Sequence, residues 1–399
     1  MNFDLVINGG GLVGATLACT LGHHKLKVAL LDKTPLPSNR ENAKARALAL
    51  SETSVRCLTS LEIWPLIQEQ ACPILEVHVS KQGAFGVSKI NAQDLQLAAL
   101  GYVVDADFLN TVLNTHLKNF PNITVFRPDQ IEALECLESG WSITLHSKKT
   151  LKAKLMVAAD GADSELRTQQ GIGVQVVDHN QTALVVNCEL AHSHYNIAYE
   201  RFTSNGSIAM LPFGENRVKC VWALPSQEAK SQESLSDEAL LDNIQKVFGY
   251  RLGHLQALKD RSNYPLRSIC ANTLYGDRLV LIGNAANTLH PVAAQGFNLG
   301  LRDAATLAEK ILLAKEANQD IGSIDILRDY ANARRTDHEN VRRMTQCLAD
   351  PKPLQCLGIY AAEWLPPFKR LVAERGLGRQ ADLPQLCRGL KLATSFKSF

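Results

Sequence analysis

Residues 4–32 read DLVINGGGLVGATLACTLGHHKLKVALLD, and this stretch decides the fold. A short apolar strand runs into a cluster of glycines, an apolar helical pattern follows through Leu21, and a second apolar strand ends at Asp32. The glycines have the spacing G-x-G-x-x-G in the turn between strand and helix, where a dinucleotide-binding βαβ unit requires them. The stretch therefore predicts a nucleotide-binding α/β domain built on a parallel sheet.

Each residue of this fingerprint has a physical task. Gly9 permits the tight turn, Gly11 lets the backbone approach a pyrophosphate, and Gly14 lets the helix pack closely on the strand. The pyrophosphate would lie at the helix N-terminus, where unpaired N–H groups and the helix dipole favour anions. Asp32 stands at the position from which a carboxylate binds ribose hydroxyls. A glycine-rich turn without a ligand is the alternative at this point.

A second informative stretch, residues 281–303, reads LIGNAANTLHPVAAQGFNLGLRD. Its pattern predicts a buried strand, a turn, an irregular loop and the start of a helix. Backbone N–H groups near Gly296, Phe297 and Asn298 would stabilise negative charge at that helix start. The two stretches together predict a chain folded around a flavin. A single dinucleotide fingerprint disfavours enzymes with two nucleotide domains and favours a nicotinamide that binds without a domain of its own.

Composition is that of an ordinary globular protein. The 399 residues are 46% hydrophobic and 21% charged, with a formal net charge of +2. The length predicts two connected domains, and the small charge argues against nucleic acid as a partner. We expect a cytoplasmic protein, because no apolar run could span a bilayer and no basic leader precedes the first strand. Ten scattered cysteines indicate reduced thiols, and His290 has no second ligand at suitable spacing, so we expect no metal.

The remaining pattern indicates two interleaved domains and a tail. We predict an α/β fold in which a Rossmann-type FAD-binding domain alternates with a β-rich substrate domain, followed by a helical C-terminal tail. The FAD-binding domain comprises residues 1–75, 101–178 and 269–345, the substrate domain residues 76–100 and 179–268, and the C-terminal helical region residues 346–399. We also predict a loop entering a helix at residues 43–51 and a mobile surface loop at residues 226–236.

Three blocks coincide in order along the chain: the N-terminal glycines with Asp32, ADGADS at residues 159–164 followed by Arg167, and the stretch 281–303. In this combination the chain resembles the flavoprotein aromatic hydroxylases, the single-component class A monooxygenases with the para-hydroxybenzoate hydroxylase fold. Within that class it is similar to the ubiquinone-biosynthesis hydroxylases, especially the branch acting on 2-octaprenyl-6-methoxyphenol, in stretches such as QLAALG at residues 96–101. The likeness covers nearly the whole chain.

The resemblance implies a cofactor site, residue by residue, for FAD. It assigns the pyrophosphate to Gly9, Gly11 and Gly14, the adenosine ribose to Asp32, the phosphates or ribityl chain to Arg46, FAD and the nicotinamide to Asp160 and Gly161, the ribityl chain to Asn284, and the isoalloxazine ring to Gln295, Gly296, Phe297 and Asn298. The sequence names no catalytic base. Tyr199 and Tyr264 would either contact a phenol hydroxyl or pack as ordinary aromatic residues.

The activity implied by the resemblance is hydroxylation of a polyprenylated phenol in ubiquinone biosynthesis, with NAD(P)H and O₂ as co-substrates. Another ring position, another aromatic substrate and a catalytically idle component of a biosynthetic complex are the alternatives. The apolar residues 357–371, which include basic side chains at one end, would cover the protein's own core, lie peripherally on the inner membrane, or dock a ubiquinone-pathway complex.

Four residues differ from those common in the family that the chain resembles. Asn8 stands where the first strand usually ends with an apolar residue, and its side chain could bond the turn. Asn284 replaces an acid but keeps an oxygen that can accept a hydrogen bond from a hydroxyl. Asn287 stands where many relatives have histidine, and Ala294 stands where many have glycine. We expect the methyl group of Ala294 to lie against the edge of the flavin.

Overall fold

Strands and helices make up most of the described chain. The computed structural model of the protein describes residues 1–36, 47–83, 87–349, 374, 376–379 and 382–392. The strands in these residues are β1 (Asn2–Asn8), β2 (Val28–Leu31), β3 (Ala47–Ser51), β4 (Cys72–Ile74), β5 (Glu76–Lys81), β6 (Val87–Asn91), β7 (Gly101–Asp105), β8 (Ile123–Phe126), β9 (Ile131–Leu137), β10 (Gly140–Leu145), β11 (Thr150–Ala158), β12 (Val174–Leu190), β13 (Ile197–Phe202), β14 (Ser207–Pro212), β15 (Arg217–Pro225), β16 (Leu255–Ala271), β17 (Tyr275–Gly276), β18 (Leu279–Leu281) and β19 (Asn287–Thr288). The α-helices are α1 (Leu12–Gly22), α2 (Glu52–Ser60), α3 (Trp64–Ile67), α4 (Ala106–His116), α5 (Glu165–Gln169), α6 (Ser226–Glu233), α7 (Asp237–Phe248), α8 (Gly296–Glu316) and α9 (Ile324–Ala349).

The first sheet is the nucleotide-binding sheet that the N-terminal stretch predicts. Its strand order is β17-β18-β11-β1-β2-β8, with β10 and β9 added in antiparallel fashion beside β11. The strands β18, β11, β1, β2 and β8 run parallel, so their carboxyl ends meet at one edge. One face packs Leu5 and Ile7 against Leu17 of α1 and Leu301 of α8, all of them fully buried. Burial on both faces explains why these strands are continuous apolar runs.

The second sheet is the β-rich layer, with the order β19-β16-β12-β15-β14-β13-β5-β6. Neighbouring strands are antiparallel except β13 and β5, which run parallel. Because side chains alternate along a strand, Leu184 and Val186 face one side, where α6 and α7 cover them. Ala183 and Val185 face the opposite side, toward the first sheet and a large cavity.

A small third sheet connects the two layers, in the order β3-β7-β4. Side-chain caps define the helices that begin near it. Ser51 caps α2 by accepting the N–H of Ser54 at 3.3 Å, and Asp105 caps α4 by accepting the N–H of Phe108 at 2.8 Å. The caps satisfy N–H groups that a helix start otherwise leaves unbonded. The predicted α/β class, with its β-rich second layer and a helical C-terminal part, is confirmed.

Two local predictions are wrong. In the stretch predicted as a loop entering a helix, residues 47–51 form β3, because pairing with β7 outweighs the helical preference of alanine and leucine. The predicted mobile loop contains α6, which buries Ala229 against the second sheet. Among the described helices, none combines the length and apolar character needed to cross a membrane.

Candidate active site

A cavity of about 1910 Å³ lies between the carboxyl edge of the first sheet and the inner face of the second. Pockets for single small ligands span roughly 300–1,000 Å³. The volume therefore accommodates a dinucleotide together with a second molecule. Its lining includes these predicted site residues: Gly9, Gly11, Asp32, Asp160, Gly161, Asn284, Gln295, Gly296, Phe297 and Asn298. Gly14 lies behind the glycine turn, and Arg46 lies outside the described residues.

The glycine turn is packed so closely that two of its positions admit no side chain. Gly9 has φ +114°, and a Cβ there would lie 2.3 Å from the carbonyl oxygen of Ala159. A Cβ on Gly14 would lie 1.9 Å from the carbonyl oxygen of Gly9. Gly11, by contrast, faces open space directly before α1. The first N–H groups of α1 are therefore accessible to an anion in the cavity.

Arg127 fixes the position of Asp32, and it is not among the site residues predicted from the sequence. Its guanidinium forms an ion pair with Asp32 and donates to the carbonyl oxygen of Gly10 at 2.8 Å and to Asn114 Oδ1 at 2.9 Å. Asp32 also accepts the N–H groups of Gly10 at 3.0 Å and Thr34 at 2.8 Å. The position of Arg127 in the sequence could have indicated this role. Arg127 directly follows β8, which is paired in parallel with β2, and ligands bind at the carboxyl ends of such strands.

The Asp160-Gly161 turn presents an acceptor and open backbone to the cavity. Asp160 Oδ2 accepts hydrogen bonds from Asn8 Nδ2 at 3.2 Å and from the N–H of Leu166 at 3.3 Å. Its Oδ1 is buried and has no hydrogen-bond partner within the described part of the chain. Gly161 has φ +97° and nothing near the place of its missing side chain. A buried acceptor of this kind requires a donor from a bound molecule or water.

Arg167 joins the middle block to the second glycine stretch. Its side chain is buried and donates to the carbonyl oxygens of Ala162 and Ala285, each at 2.9 Å. Ser164 caps the short helix α5 and accepts the N–H of Arg167 at 3.1 Å. The three blocks that the sequence brings together are therefore also joined in space.

The turn at the start of the second stretch rests on Asp303. Gly283 has φ +58° and donates its N–H to Asp303 Oδ2 at 3.1 Å. A Cβ on Gly283 would lie 3.1 Å from the side chain of Val13, so the turn packs directly on α1. The side chain of the following residue, Asn284, is exposed and lies in the wall of the cavity.

Asp303 belongs to a buried ionic network between α8 and α9. Its Oδ1 accepts from Arg334 Nε and His338 Nε2, both at 2.7 Å. Arg334 also donates to Asp337 at 2.6 Å, and Asp337 accepts from Arg302 at 2.7 Å. Burial alone would raise the pKa of Asp303, but His338 and Arg334 outweigh it and hold that pKa below its usual value. The carboxylate that supports the glycine turn is therefore ionised at neutral pH.

The helix α8 directs its N-terminus at the cavity. At this helix start, the N–H of Leu299 donates to the carbonyl oxygen of Gln295 at 2.9 Å. The N–H groups of the three preceding residues lie at the positive end of the helix dipole. The Asn298 side chain is occupied by the protein, accepting from Ser51 and Ser54 at 2.9 and 2.7 Å and donating to Ala49 at 2.9 Å. Its contribution at the helix start is therefore its backbone.

Ala294 and Asn287, the two residues of this stretch that stand where many relatives have glycine and histidine, lie in different surroundings. Ala294 lies in the cavity wall with φ +49°, a left-handed conformation that costs a residue with a Cβ roughly 1–2 kcal/mol and that glycine adopts freely. Asn287 is buried opposite Cys270 of β16, and it is not among the cavity-lining residues described. Its Nδ2 has no hydrogen-bond partner within the described ranges. Of the two, Ala294 thus adjoins the cavity.

His290 is a buried, neutral residue of the cavity wall. Its Nδ1 accepts the N–H of Val292 at 3.3 Å, and its Nε2 lies 3.3 Å from Gln181 Oε1, so the proton is on Nε2. Burial and the neighbouring His179 lower the pKa of His290 to about 4. In the part of the chain that the structure describes, no group of three or more His, Cys, Asp or Glu residues could hold a metal ion.

The inner face of the second sheet is mostly apolar but carries three buried polar groups, which were not predicted as a set from the sequence. Burial raises the pKa of Glu200 to about 7, although a hydrogen bond from Ser207 acts to lower it. Burial lowers the pKa of Lys219 to about 8. Tyr264 Oη is buried and has no hydrogen-bond partner among the residues described. Tyr199, the other tyrosine considered, packs edge-on against Phe248, and the two ring centroids are 5.4 Å apart.

Comparison with known proteins agrees with this architecture. The family profile described as FAD binding domain matches residues 2–345. Ubiquinone hydroxylase UbiL of Rhodospirillum rubrum is 33% identical, over 98% of this chain and 93% of its own length. The 3-demethoxyubiquinol 3-hydroxylase of Escherichia coli is 28% identical, over 94% of this chain and 98% of its own.

A solved structure shows the same fold. The p-nitrophenol 4-monooxygenase PnpA of Pseudomonas putida DLL-E4 superposes with a TM-score of 0.77 at 18% identity, covering 95% of this chain and 99% of that one. The chain therefore belongs to the FAD binding domain family, and it is a flavoprotein monooxygenase of the group that contains the ubiquinone-biosynthesis hydroxylases.

Proposed function

We propose that this protein is an FAD-dependent hydroxylase of ubiquinone biosynthesis that converts 2-octaprenyl-6-methoxyphenol to the corresponding 1,4-benzoquinol, with NAD(P)H and O₂ as co-substrates. One observation carries the proposal. A single cavity of about 1910 Å³ is bounded by the dinucleotide fingerprint on one side and by an apolar sheet face on the other. The relatives that are named ubiquinone hydroxylases support the substrate class.

The cavity wall fits FAD in its donors and acceptors. The open N–H groups at the start of α1 suit the pyrophosphate, and Asp32 suits the adenosine ribose. Asp160 Oδ1 lacks a donor, and Asn284 is exposed toward the ribityl position. The N-terminus of α8 would stabilise negative charge on the reduced ring by about 0.3–1 kcal/mol for each interaction, and by up to about 2 kcal/mol when partly buried. The contact of Arg46 with the phosphates or the ribityl chain remains a proposal, because Arg46 lies outside the described residues.

The protein's own part in the reaction is binding, orientation and exclusion of water. When bound, FAD supplies the acceptance of hydride from NAD(P)H and the activation of oxygen. The side chains Ala183, Val185, Val221 and Ala223 give the second sheet a dry inner face against which an aromatic ring can lie. Asp160 and Gly161 are proposed to contact the nicotinamide cofactor as well as FAD. Positioning in a dry pocket lowers the barrier without a covalent contribution from the protein.

The proposed domains follow the two large sheets. Residues 76–100 and 179–268 contain most of the second sheet, and residues 1–75, 101–178 and 269–345 contain the first. The strands β12 and β16 cross the proposed boundaries, because each is 17 residues long and extends toward the first sheet. We propose the C-terminal region, residues 346–399, as the part that contacts a membrane surface or pathway partners. Its apolar stretch 357–371 lies outside the described residues.

The cofactor is tested first. Purified protein should be yellow, and its flavin absorbance should bleach when NADPH or NADH is added without oxygen. A colourless protein that FAD does not reconstitute would favour the alternative, an idle component of a biosynthetic complex. The ratio of the bleaching rates with the two nucleotides identifies the electron donor.

The substrate is tested by deleting the gene and identifying the quinone precursor that accumulates. Accumulation of 2-octaprenyl-6-methoxyphenol supports the proposed ring position. Another accumulating precursor moves the hydroxylation to another ring position, and unchanged quinone content contradicts the pathway.

A further inference from the structure

Lys219 is a buried cation in the cavity wall that the proposed mechanism leaves without a task. It lies on β15, is 1% exposed, and contributes to the lining of the cavity. Its Nζ is buried and has no hydrogen-bond acceptor among the residues that the structure describes. It makes a cation–π contact with Phe213, whose ring centroid is 5.1 Å from Nζ. An ammonium group buried without an acceptor is costly, so the site requires an anionic or strongly polar partner.

The side chains directly across from Lys219 include no anionic group. On one side stand Leu211 and, beyond it, Ala198, both apolar and both in the cavity lining. On the other side stands Asn187 of β12, a buried amide whose Nδ2 donates to Asp260 Oδ2 at 2.8 Å. The next row along β15 contains the cavity-lining Val221 and Ala209 and ends at Glu200. The amine is therefore a positive charge on a largely apolar part of the wall of the proposed substrate space.

Charged groups on several elements act on Lys219 from a distance. Asp105 at the end of β7, Asp107 in α4 and Asp260 in β16 favour its charged form, whereas Arg217 on β15 disfavours it. Glu200 lies on the same sheet face, two strands away on β13. Burial outweighs the three carboxylates and lowers the pKa of Lys219 to about 8, so that the amine remains mostly protonated at neutral pH.

We propose that Lys219 pairs with the ring oxygen of the substrate, so that the phenol binds as its phenolate. Binding then breaks the O–H bond of the phenol and releases the proton to solvent, while the ammonium donates a hydrogen bond to the oxyanion. No electrons are transferred in this step. The negative charge spreads over the ring and makes it more reactive toward an electrophilic oxygen. This inference rests on the proposed hydroxylase function and names Lys219 as the residue that selects an ionisable phenol.

A role toward the flavin is the competing explanation for the same positive charge. The N–H groups at the N-terminus of α8 already supply positive potential in the proposed flavin site. Lys219, in contrast, belongs to the second sheet, where Leu211, Ala198 and Ala209 line the cavity beside it and suit an aromatic ring and its tail. The substrate assignment is therefore the one that the surroundings favour.

The test uses the FAD-loaded protein and 4-nitrophenol, a probe whose ionised form is seen directly by absorbance. Difference spectra are recorded from pH 5 to pH 9 for the wild type, Lys219→Met, Lys219→Arg and the control Lys148→Met. Lys148 is an exposed lysine paired with Glu132 and does not line the cavity. In the wild type, we expect the pKa of the bound probe to be lower than in solution by about 1–3.

Lys219→Met should abolish that lowering and weaken binding of the ionised probe about 10- to 1,000-fold, since each pKa unit corresponds to a factor of ten. Lys219→Arg should retain most of both effects, and Lys148→Met should behave as the wild type. An unchanged ionisation of the probe in Lys219→Met overturns the inference. A shifted flavin midpoint potential with unchanged probe ionisation also overturns it and assigns Lys219 to the flavin. These readouts need no turnover, so they are independent of the test of the pathway by gene deletion.

Discussion

Replacing Asp303 by asparagine tests whether the buried network supports the cofactor turn. Asp303 is fully buried and accepts hydrogen bonds from Arg334, His338 and the N–H of Gly283. The amide keeps the shape and one acceptor but removes the charge. Arg334 and Arg302 would then share the single carboxylate of Asp337. Breaking a buried ion pair in this way typically costs about 3–5 kcal/mol, and we expect a value near the lower end because Asp337 remains.

The matched control is Asp325→Asn. Asp325 forms an ion pair with Arg328 at 3.1 Å, and the two side chains are 80% and 54% exposed, so its loss should cost only about 0–1 kcal/mol. Both variants are unfolded in urea at pH 7, and release of bound FAD is followed in the same titration. At this pH the Asp303 carboxylate is ionised, because its folded-state pKa is lowered and its contribution is lost only on acidification through that value. Equal destabilisation by the two substitutions, or unchanged FAD retention in Asp303→Asn, would refute the reasoning.

Three further predictions concern the cavity wall. Gly14→Ala places a Cβ 1.9 Å from the carbonyl oxygen of Gly9, so we expect about 1–3 kcal/mol of destabilisation and colourless purified protein; a yellow variant of normal stability would contradict this. Ala294→Gly relieves a φ of +49° and should raise the free energy of unfolding by about 0.5–1 kcal/mol, whereas Ala333→Gly, in an exposed part of α9, should lower it by about as much in the same urea titration. The pKa of His290 is lowered to about 4 in the folded protein, so on acidification the unfolded chain gains a proton first. The free energy of unfolding should therefore fall by on the order of 3 kcal/mol between pH 6.5 and pH 4. His290→Asn should remove that part of the pH dependence, and an unchanged pH profile would show that His290 does not cause it.

Short sequence patterns predict most of the fold and a large part of the cofactor site. Gly9 and Gly14 are required by contacts within or next to the βαβ unit, so the spacing of the glycines is enough to identify them. The segment 47–51 shows the limit of such reasoning. Its alanines and leucines favour a helix, yet β7 provides a backbone ladder that decides the conformation. Pairing with a strand 50 or more residues away leaves no trace in a short sequence window.

By itself, the sequence determined the βαβ unit, the order of the three blocks and the family. These features depend on backbone conformation and close packing among residues that are near in the chain. Three features depend on the tertiary structure alone. Arg127 forms an ion pair with Asp32, Arg334 forms an ion pair with Asp303 beneath the Gly283 turn, and Lys219 faces the cavity. The partners in the first two pairs are far apart in sequence, and the side of a strand on which a lysine points depends on pairing register, since a shift of one residue reverses every side chain.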